Sequence, residues 1–368
     1  MIQYQQYGRV GEKVQKVLSK IRKGQLEPVY FVQGTETYLM NLVKQTFLND
    51  VLTQEERELN ISIYNAQDTS LEYVVEDALS MPFFGEKKVI LLEQPTFLLQ
   101  EKTKSVTDGA LETFLTYLEE PNQDTILVVL APFDTVDNRK KVVKQLKKVA
   151  EYIDVNPLSE KETSHFIQDV ILAEGYAIDK QVLALLLERV GYQLSLAMNE
   201  VDKLFLATMD TKKITKDSVL SLVPKHLENN VFTLVEAVLK KNVEQALLIY
   251  RELILQKEEP IKLLALLLGQ FRLLMQVTIL EKKGYQQQDI IKQLKQHPYR
   301  VQLAMKQSSA YHLKDMIVYY QILSETDYAL KTNTTDKHLL LELALLKTMI
   351  QESENETENF TKTITRSF

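Results

Sequence analysis

From the start of the chain to Val155 the apolar positions keep changing period, from the continuous runs of a buried strand to the three-and-four spacing of a helix. Pro28 to Val32 is apolar, β-branched or aromatic and ends near Gly34; Leu39, Leu42, Val43 and Phe47 then fall on one face of an expected helix from Glu36 to Phe47. The alternation continues with expected strands over 60–64, 88–93, 125–130 and 152–155. Expected helices lie between them at 71–81, 110–118 and 138–148, the first behind a Thr69-Ser70-Leu71-Glu72 capping box. Five short strands separated by helices imply a mostly parallel sheet covered on both faces.

After Pro157 the strand pattern stops. Ser159-Glu160-Lys161-Glu162 reads as a capping box opening a helix to Glu174, and further helices are expected over 179–190, 194–207 and 215–222. Pro224-Lys225-His226-Leu227-Glu228-Asn229-Asn230 breaks the apolar period and reads as a linker. Beyond it roughly six more helices run to Glu352, some as apolar as Ile261 to Met275 and Leu339 to Ile350. The pattern divides the chain into an α/β domain (1–156), a compact helical subdomain (157–226), a second helical domain (227–352) and a polar, acidic tail (353–368) expected to be disordered.

One corner stands out. In Ser80-Met81-Pro82-Phe83-Phe84-Gly85-Glu86-Lys87-Lys88, two adjacent phenylalanines sit between a helix-stopping proline and a glycine, just before a strand. Adjacent residues point in different directions, so such a corner is poorly placed to bury both rings. Either both pack beneath it, or one projects and is available to another protein.

Composition narrows the chemistry. Cysteine is absent, which excludes disulfides, thiolate metal sites and a cysteine nucleophile and fits a reducing cytoplasm. The opening Met1-Ile2-Gln3-Tyr4-Gln5-Gln6-Tyr7 is polar, and no run is expected to reach the roughly 20 apolar residues that span a bilayer, so neither export nor a membrane is expected. A net charge of −6 argues against a dedicated nucleic-acid binder and leaves room only for local, shared contact with DNA.

No enzyme site is legible. A phosphate-binding loop would read G-x-x-x-x-G-K-[ST], whereas the turn after the first strand reads Gly34-Thr35-Glu36-Thr37-Tyr38-Leu39, with one glycine, no lysine in place and an acid that would repel phosphate. Glu93 is a lone carboxylate read as a solvated strand end. His165, His226, His297, His312 and His338 are scattered without ligand spacing and read as surface or capping residues. Glu258-Glu259 beside Pro260 suit a helix start better than acid–base work. No catalytic residue, cofactor or metal is therefore expected.

Three separated segments carry a resemblance. Pro28 to Leu39 is similar to a strand ending in Gly-x-Glu-x-Tyr-Leu, Met81 to Lys88 to a Leu-Pro-Leu-Phe-Gly corner, and Gly191 through Asn199-Glu200-Val201-Asp202-Lys203-Leu204 to a third motif; Asp134 to Lys141 and Asp327 to Lys331 also match. In this order and spacing the chain resembles the delta subunit family of the bacterial DNA polymerase III clamp loader. The resemblance implies an AAA+-like α/β domain, a helical lid and a helical collar that joins a heteropentamer. It implies a subunit that binds no nucleotide, partnered by ATPase and delta-prime subunits, and that binds the ring-shaped sliding clamp (the beta subunit) and opens it for loading onto primed DNA during replication. The clamp-contacting pair falls on Phe83 and Phe84, with Met81 beside them; this chain has Phe where many relatives have Leu.

Basic residues offer further contacts. Arg139, Lys140, Lys141, Lys144, Lys147 and Lys148 charge one face of the expected 138–148 helix, either as a solvated face or toward a neighbouring subunit or DNA. In the collar, Lys292, Lys295, Tyr299, Arg300 and Lys306 mix charge with an aromatic ring and suit weak contact with primer-template DNA inside the complex. Lys87 and Lys88 either pair with clamp carboxylates or are solvated at a strand start. The rival readings are a scaffold and a divergent ATPase, neither binding the clamp directly.

Overall fold

The computed structural model describes residues 11–100, 106–308, 310–332 and 335–350; the tail expected over 353–368 lies outside the described residues. In chain order the elements are α1 (Gly11–Arg22), β1 (Val29–Gln33), α2 (Thr37–Asn49), α3 (Gln54–Asn60), β2 (Ile61–Asn65), α4 (Leu71–Leu79), β3 (Lys88–Glu93), α5 (Asp108–Glu119), β4 (Thr125–Ala131), α6 (Lys141–Val149), β5 (Glu151–Asp154) and α7 (Glu160–Ala173). There follow β6 (Ala177–Ile178), α8 (Lys180–Arg189), α9 (Leu194–Ala207), β7 (Lys213–Ile214), α10 (Lys216–Leu222), α11 (Leu227–Leu239), α12 (Val243–Leu255), α13 (Pro260–Lys282), α14 (Gln287–Leu294), α15 (Pro298–Ser308), α16 (Leu313–Thr332) and α17 (Lys337–Ile350). The chain divides into two compact units, one of residues 1–178 with 194–202, the other of 179–193 with 203–368.

The first unit holds the five expected strands as one parallel sheet in the order β2-β3-β4-β1-β5. Its central strands are buried on both faces, as their unbroken apolar runs require. Val29 and Phe31 face one way, into a core with Leu71, Val74, Phe114, Val143 and Leu146 of α4, α5 and α6. Tyr30 points to the opposite face, where its ring meets Phe47 of α2 at 4.7 Å between centroids. β2 is an edge strand and is only partly covered.

The second unit is almost wholly helical. Val235, Leu267, Phe271, Leu323 and Leu345, from α11, α13, α16 and α17, share its core. α13 corrects one expectation: over its 23 residues it is long and apolar enough to cross a membrane, by length and composition alone, yet 67% of its most apolar window is buried in protein, as befits a core helix.

Other differences have local causes. Strands do not stop at Pro157, since β6 and β7 are short two-residue strands that periodicity cannot register. α1 was not expected, although Val14, Val17, Leu18 and Ile21 carry helical spacing; α3 has no apolar period, and its signal is the Thr53–Glu56 capping box. Before α4 the cap is Ser70 rather than Thr69, its oxygen accepting from Tyr73 N–H, so the expected box does not form; the Ser159–Glu162 box does. The linker is shorter than expected because α11 starts at Leu227 and takes Glu228, Asn229 and Asn230 into its first turn. Seven described helices, α11 to α17, follow it.

Candidate functional site

The helix α4 ends at Leu79, two residues before its expected end, because Ser80 caps it: the Ser80 N–H donates to the Glu76 and Asp77 carbonyls and its hydroxyl donates to Asp77 O at 2.9 Å. Lys88, the first residue of β3, is only 5% exposed. Its ammonium donates to Ser80 Oγ at 2.7 Å, to Asp77 Oδ1 at 3.2 Å and to the Asp77 carbonyl. Tyr64 of β2 donates to the other carboxylate oxygen at 3.0 Å. Burial raises the Asp77 carboxyl, but hydrogen bonds from Ser62, Lys88 and Tyr64 outweigh it and hold the group below its ordinary value. Burial, opposed by Ser62 and reinforced by Asp77, pushes the Tyr64 phenol up to about 12. Lys88 is therefore neither solvated nor free for a partner; it ties the end of α4 to the start of β3.

Between those ends the backbone is held by a residue that sequence patterning placed at the start of a strand. Asn60 closes α3, is 3% exposed, and turns its amide onto the corner. Its Oδ1 accepts from Phe83 N–H at 2.8 Å and from Phe84 N–H at 3.2 Å, while its Nδ2 donates to the Phe84 carbonyl. Gly85 follows at φ +73°, where a Cβ would collide with the Glu56 carboxylate that closes the α3 capping box. Lys87 donates to the Gln123 carbonyl at 2.6 Å and lies 4.0 Å from Asp124. The main chain is held at Ser80, Phe83, Phe84 and Lys88, and the side chains between are not: Met81 is 89% exposed, Phe83 80% and Phe84 54%. Both rings project. Leu79, just before the corner, is exposed as well. Such a tip carries no proton donor or nucleophile, and no cluster of metal-ligating side chains occurs among the described residues. Its exposed surface is apolar.

Comparison with known proteins gives the chain a family. A model of the DNA polymerase III delta subunit matches residues 30–156, and one of its C-terminal domain matches 228–348. A third, described as a middle domain, matches 159–221. The DNA polymerase III subunit delta of Bacillus subtilis (strain 168) is 34% identical over 340 residues, covering 92% of this chain and 98% of its own length. The chain belongs to the DNA polymerase III delta subunit family. A probable delta subunit from Aquifex aeolicus (strain VF5) is 25% identical over 266 residues, or 70% of this chain and 73% of its own. Among solved structures, the Bacillus subtilis DNA clamp loader delta protein superposes with a TM-score of 0.76 over 92% of this chain and 100% of its own. The expected fold class holds for this delta-family chain: a parallel-sheet AAA+-like domain followed by helical domains.

The turn after β1 in this delta-family chain is shaped by contacts of its own. Gly34 has φ +146°, and a Cβ there would overlap the backbone of Val155 and Asn156. Glu36 is the N-cap of α2, its carboxylate accepting from Tyr38 N–H at 3.3 Å and from Ser195 Oγ at 2.7 Å. Glu93 is not a solvated strand end but pairs with Lys44 at 2.6 Å.

The basic candidates do not form one surface. α6 starts at Lys141, so Arg139 and Lys140 precede it. Arg139 is exposed but chelated by Asp137, through bonds of 2.9 and 3.0 Å, and Lys140 donates to the Phe97 carbonyl. Lys141, Lys144 and Lys148 line an exposed helix face, opposite the buried Val142, Val143 and Leu146. In the helical unit Lys292 and Lys295 are exposed, but Tyr299 is half-buried against the Tyr192 ring at 4.8 Å and Arg300 lies 3.7 Å from Glu228. The five histidines are likewise not all surface or capping groups. His226 sits at the α11 N-cap, but His297 is half-buried, and burial, helped by Arg300, lowers its titration.

Proposed function

We propose that this chain is the non-catalytic delta subunit of a clamp loader, and that Met81, Phe83 and Phe84 bind the sliding clamp and hold the ring open for loading onto primed DNA during replication. The observation that carries this reading is the combination of a backbone held at Phe83 and Phe84 with two projecting side chains, because phenylalanines left in water at 80% and 54% exposure are stabilised when a partner covers them. Nucleotide chemistry belongs to partner ATPase subunits. The N-terminus of α2, where a phosphate would sit, is taken by the Glu36 carboxylate, and Gly34 is committed to the Val155 crossing. The helical region over 227–352 is the collar that joins the heteropentamer with delta-prime and ATPase subunits, and the lid spans 157–226. DNA contact is weak and confined to the assembly, through the Lys141 face of α6 and through Lys292 and Lys295; the whole works in the cytoplasm.

Opening follows from differential binding. A partner that binds open and closed rings equally shifts nothing, so the anchor must be joined to surface that suits the open ring better. The test is calorimetric titration of the full chain with the sliding clamp, beside the Phe83→Ala, Phe84→Ala double variant. Binding weakened by two or so orders of magnitude in the variant is expected. Equal binding would move the anchor elsewhere, and no binding by either protein would return the scaffold reading.

A further inference from the structure

Asn60 holds the corner without being exposed to any partner: it is buried at the end of a polar helix and spends its whole amide on a loop that is distant in sequence. Three backbone groups of the tip depend on it: the N–H groups of Phe83 and Phe84 and the Phe84 carbonyl. No strand or helix offers these groups a partner, because the segment between Ser80 and Lys88 has no regular structure. Peptide groups without protein partners are satisfied by water, and a loop solvated in that way samples many conformations, including ones that fold the rings inward. With Asn60 in place the two consecutive peptides are fixed, and the directions of both Cα–Cβ bonds are fixed with them.

We infer that Asn60 is a positioning residue for clamp binding, setting the outward aim of Phe83 and Phe84 before the clamp arrives. This rests on the proposed role of the tip. Both ends of α3 meet the tip: the N-terminal capping box sets Glu56 against Gly85, and the last residue, Asn60, grips Phe83 and Phe84. An anchor already held in its bound form loses less conformational freedom on association, so removing the grip lowers affinity without removing any atom that touches the clamp.

The experiment is a double-mutant cycle on the full chain, titrated with the sliding clamp: parent, Asn60→Ala, the Phe83→Ala, Phe84→Ala pair, and all three substitutions together. Asn60→Ala is expected to weaken binding about 10- to 100-fold, the scale of unmaking its three part-buried hydrogen bonds to the tip. It should have little further effect where both rings are already gone. Amide hydrogen exchange should quicken at Phe83 and Phe84 while Val89 to Leu92 of β3 stay protected, separating a loosened tip from a loosened fold. Asn60→Asp serves if the alanine variant melts early: its carboxylate can still accept both N–H groups but repels the Phe84 carbonyl, so it should bind more weakly than the parent. Parent-like affinity in Asn60→Ala, with binding lost in the ring pair, overturns the inference and leaves the tip as anchor. Additive effects in the cycle also overturn it, since they mean a structural role away from the rings. Unchanged binding in the ring pair overturns the proposed function itself.

Discussion

Truncating the two rings one at a time separates an anchor from a bystander. Full burial of a phenylalanine contributes roughly 1.5–3 kcal/mol, so at 80% and 54% exposure Phe83 has about 1.2–2.4 kcal/mol still to gain and Phe84 about 0.8–1.6 kcal/mol. At 1.4 kcal/mol per tenfold, Phe83→Ala should weaken clamp binding about 7- to 50-fold and Phe84→Ala about 4- to 14-fold, with the pair near 30- to 700-fold if the sites add. Titration calorimetry reads the affinities, and a thermal melt of each variant serves as control, because Phe83, already in water, should leave stability within about 0.5 kcal/mol of the parent. Phe84 is half covered by its own chain and should lower the melting temperature slightly. A larger affinity loss for Phe84 than for Phe83 would refute the scaling from exposure. A marked melting drop for Phe83→Ala would show that the ring supports the fold.

The Asp77 junction should show in acid. Its carboxyl is depressed in the folded chain, so the stability it brings is full above its unfolded value of about 3.9 and is lost as pH falls through the lower folded value. Melts of the parent and Asp77→Asn should therefore differ most near neutrality and converge below that value; a constant gap would refute the linkage. Gly34→Ala should cost roughly 2–5 kcal/mol in urea unfolding, from a positive φ and a collision with the Val155 backbone together; a variant as stable as the parent would show that the crossing relaxes. Titration with a fluorescent ATP analogue should give no saturable binding, and a stoichiometric complex would show that Glu36 can be displaced from the α2 cap.

The sheet was legible because β1, β3 and β4 are buried on both faces and so carry unbroken apolar runs, which periodicity reads directly. Elements held by polar contacts were not. α3, Gln-Glu-Glu-Arg-Glu-Leu-Asn, has no apolar face to read, and the end of α4 is set by the Ser80 and Lys88 bonds to Asp77 rather than by Pro82. The same limit applied at the site. Phe83 and Phe84 were visible as a pair that a corner cannot easily bury, whereas Asn60, which fixes them, looks in the sequence like any polar residue at an element boundary. Lys88 shows the converse: its position at a strand start suggests solvent, and only the arrival of Asp77 and Ser80 from a neighbouring helix makes it a buried tie. Hydrogen bonds between residues remote in sequence leave no period behind them.

The split between a fixed backbone and free rings bears on how a clamp would be opened. A slack loop carrying the same phenylalanines would still bind, but it would follow its pocket through any movement of the ring, giving open and closed forms nearly the same affinity and so no bias between them. Stiffness makes the difference. Holding a backbone residue in one conformation is worth roughly 1–2 kcal/mol, and at this corner the Ser80 N–H bonds into α4 and the Asn60 bonds to Phe83 and Phe84 hold the main chain between α4 and β3. A tip that cannot bend transmits the position of its pocket to α4 and β3, so any mismatch between that surface and the closed ring must be relieved in the clamp. On this reasoning the slackened Asn60→Ala chain loses opening more steeply than it loses binding. Clamp opening measured at saturating concentrations of the variant should stay below the parent's level, and full recovery at saturation would mean that the tip anchors without levering.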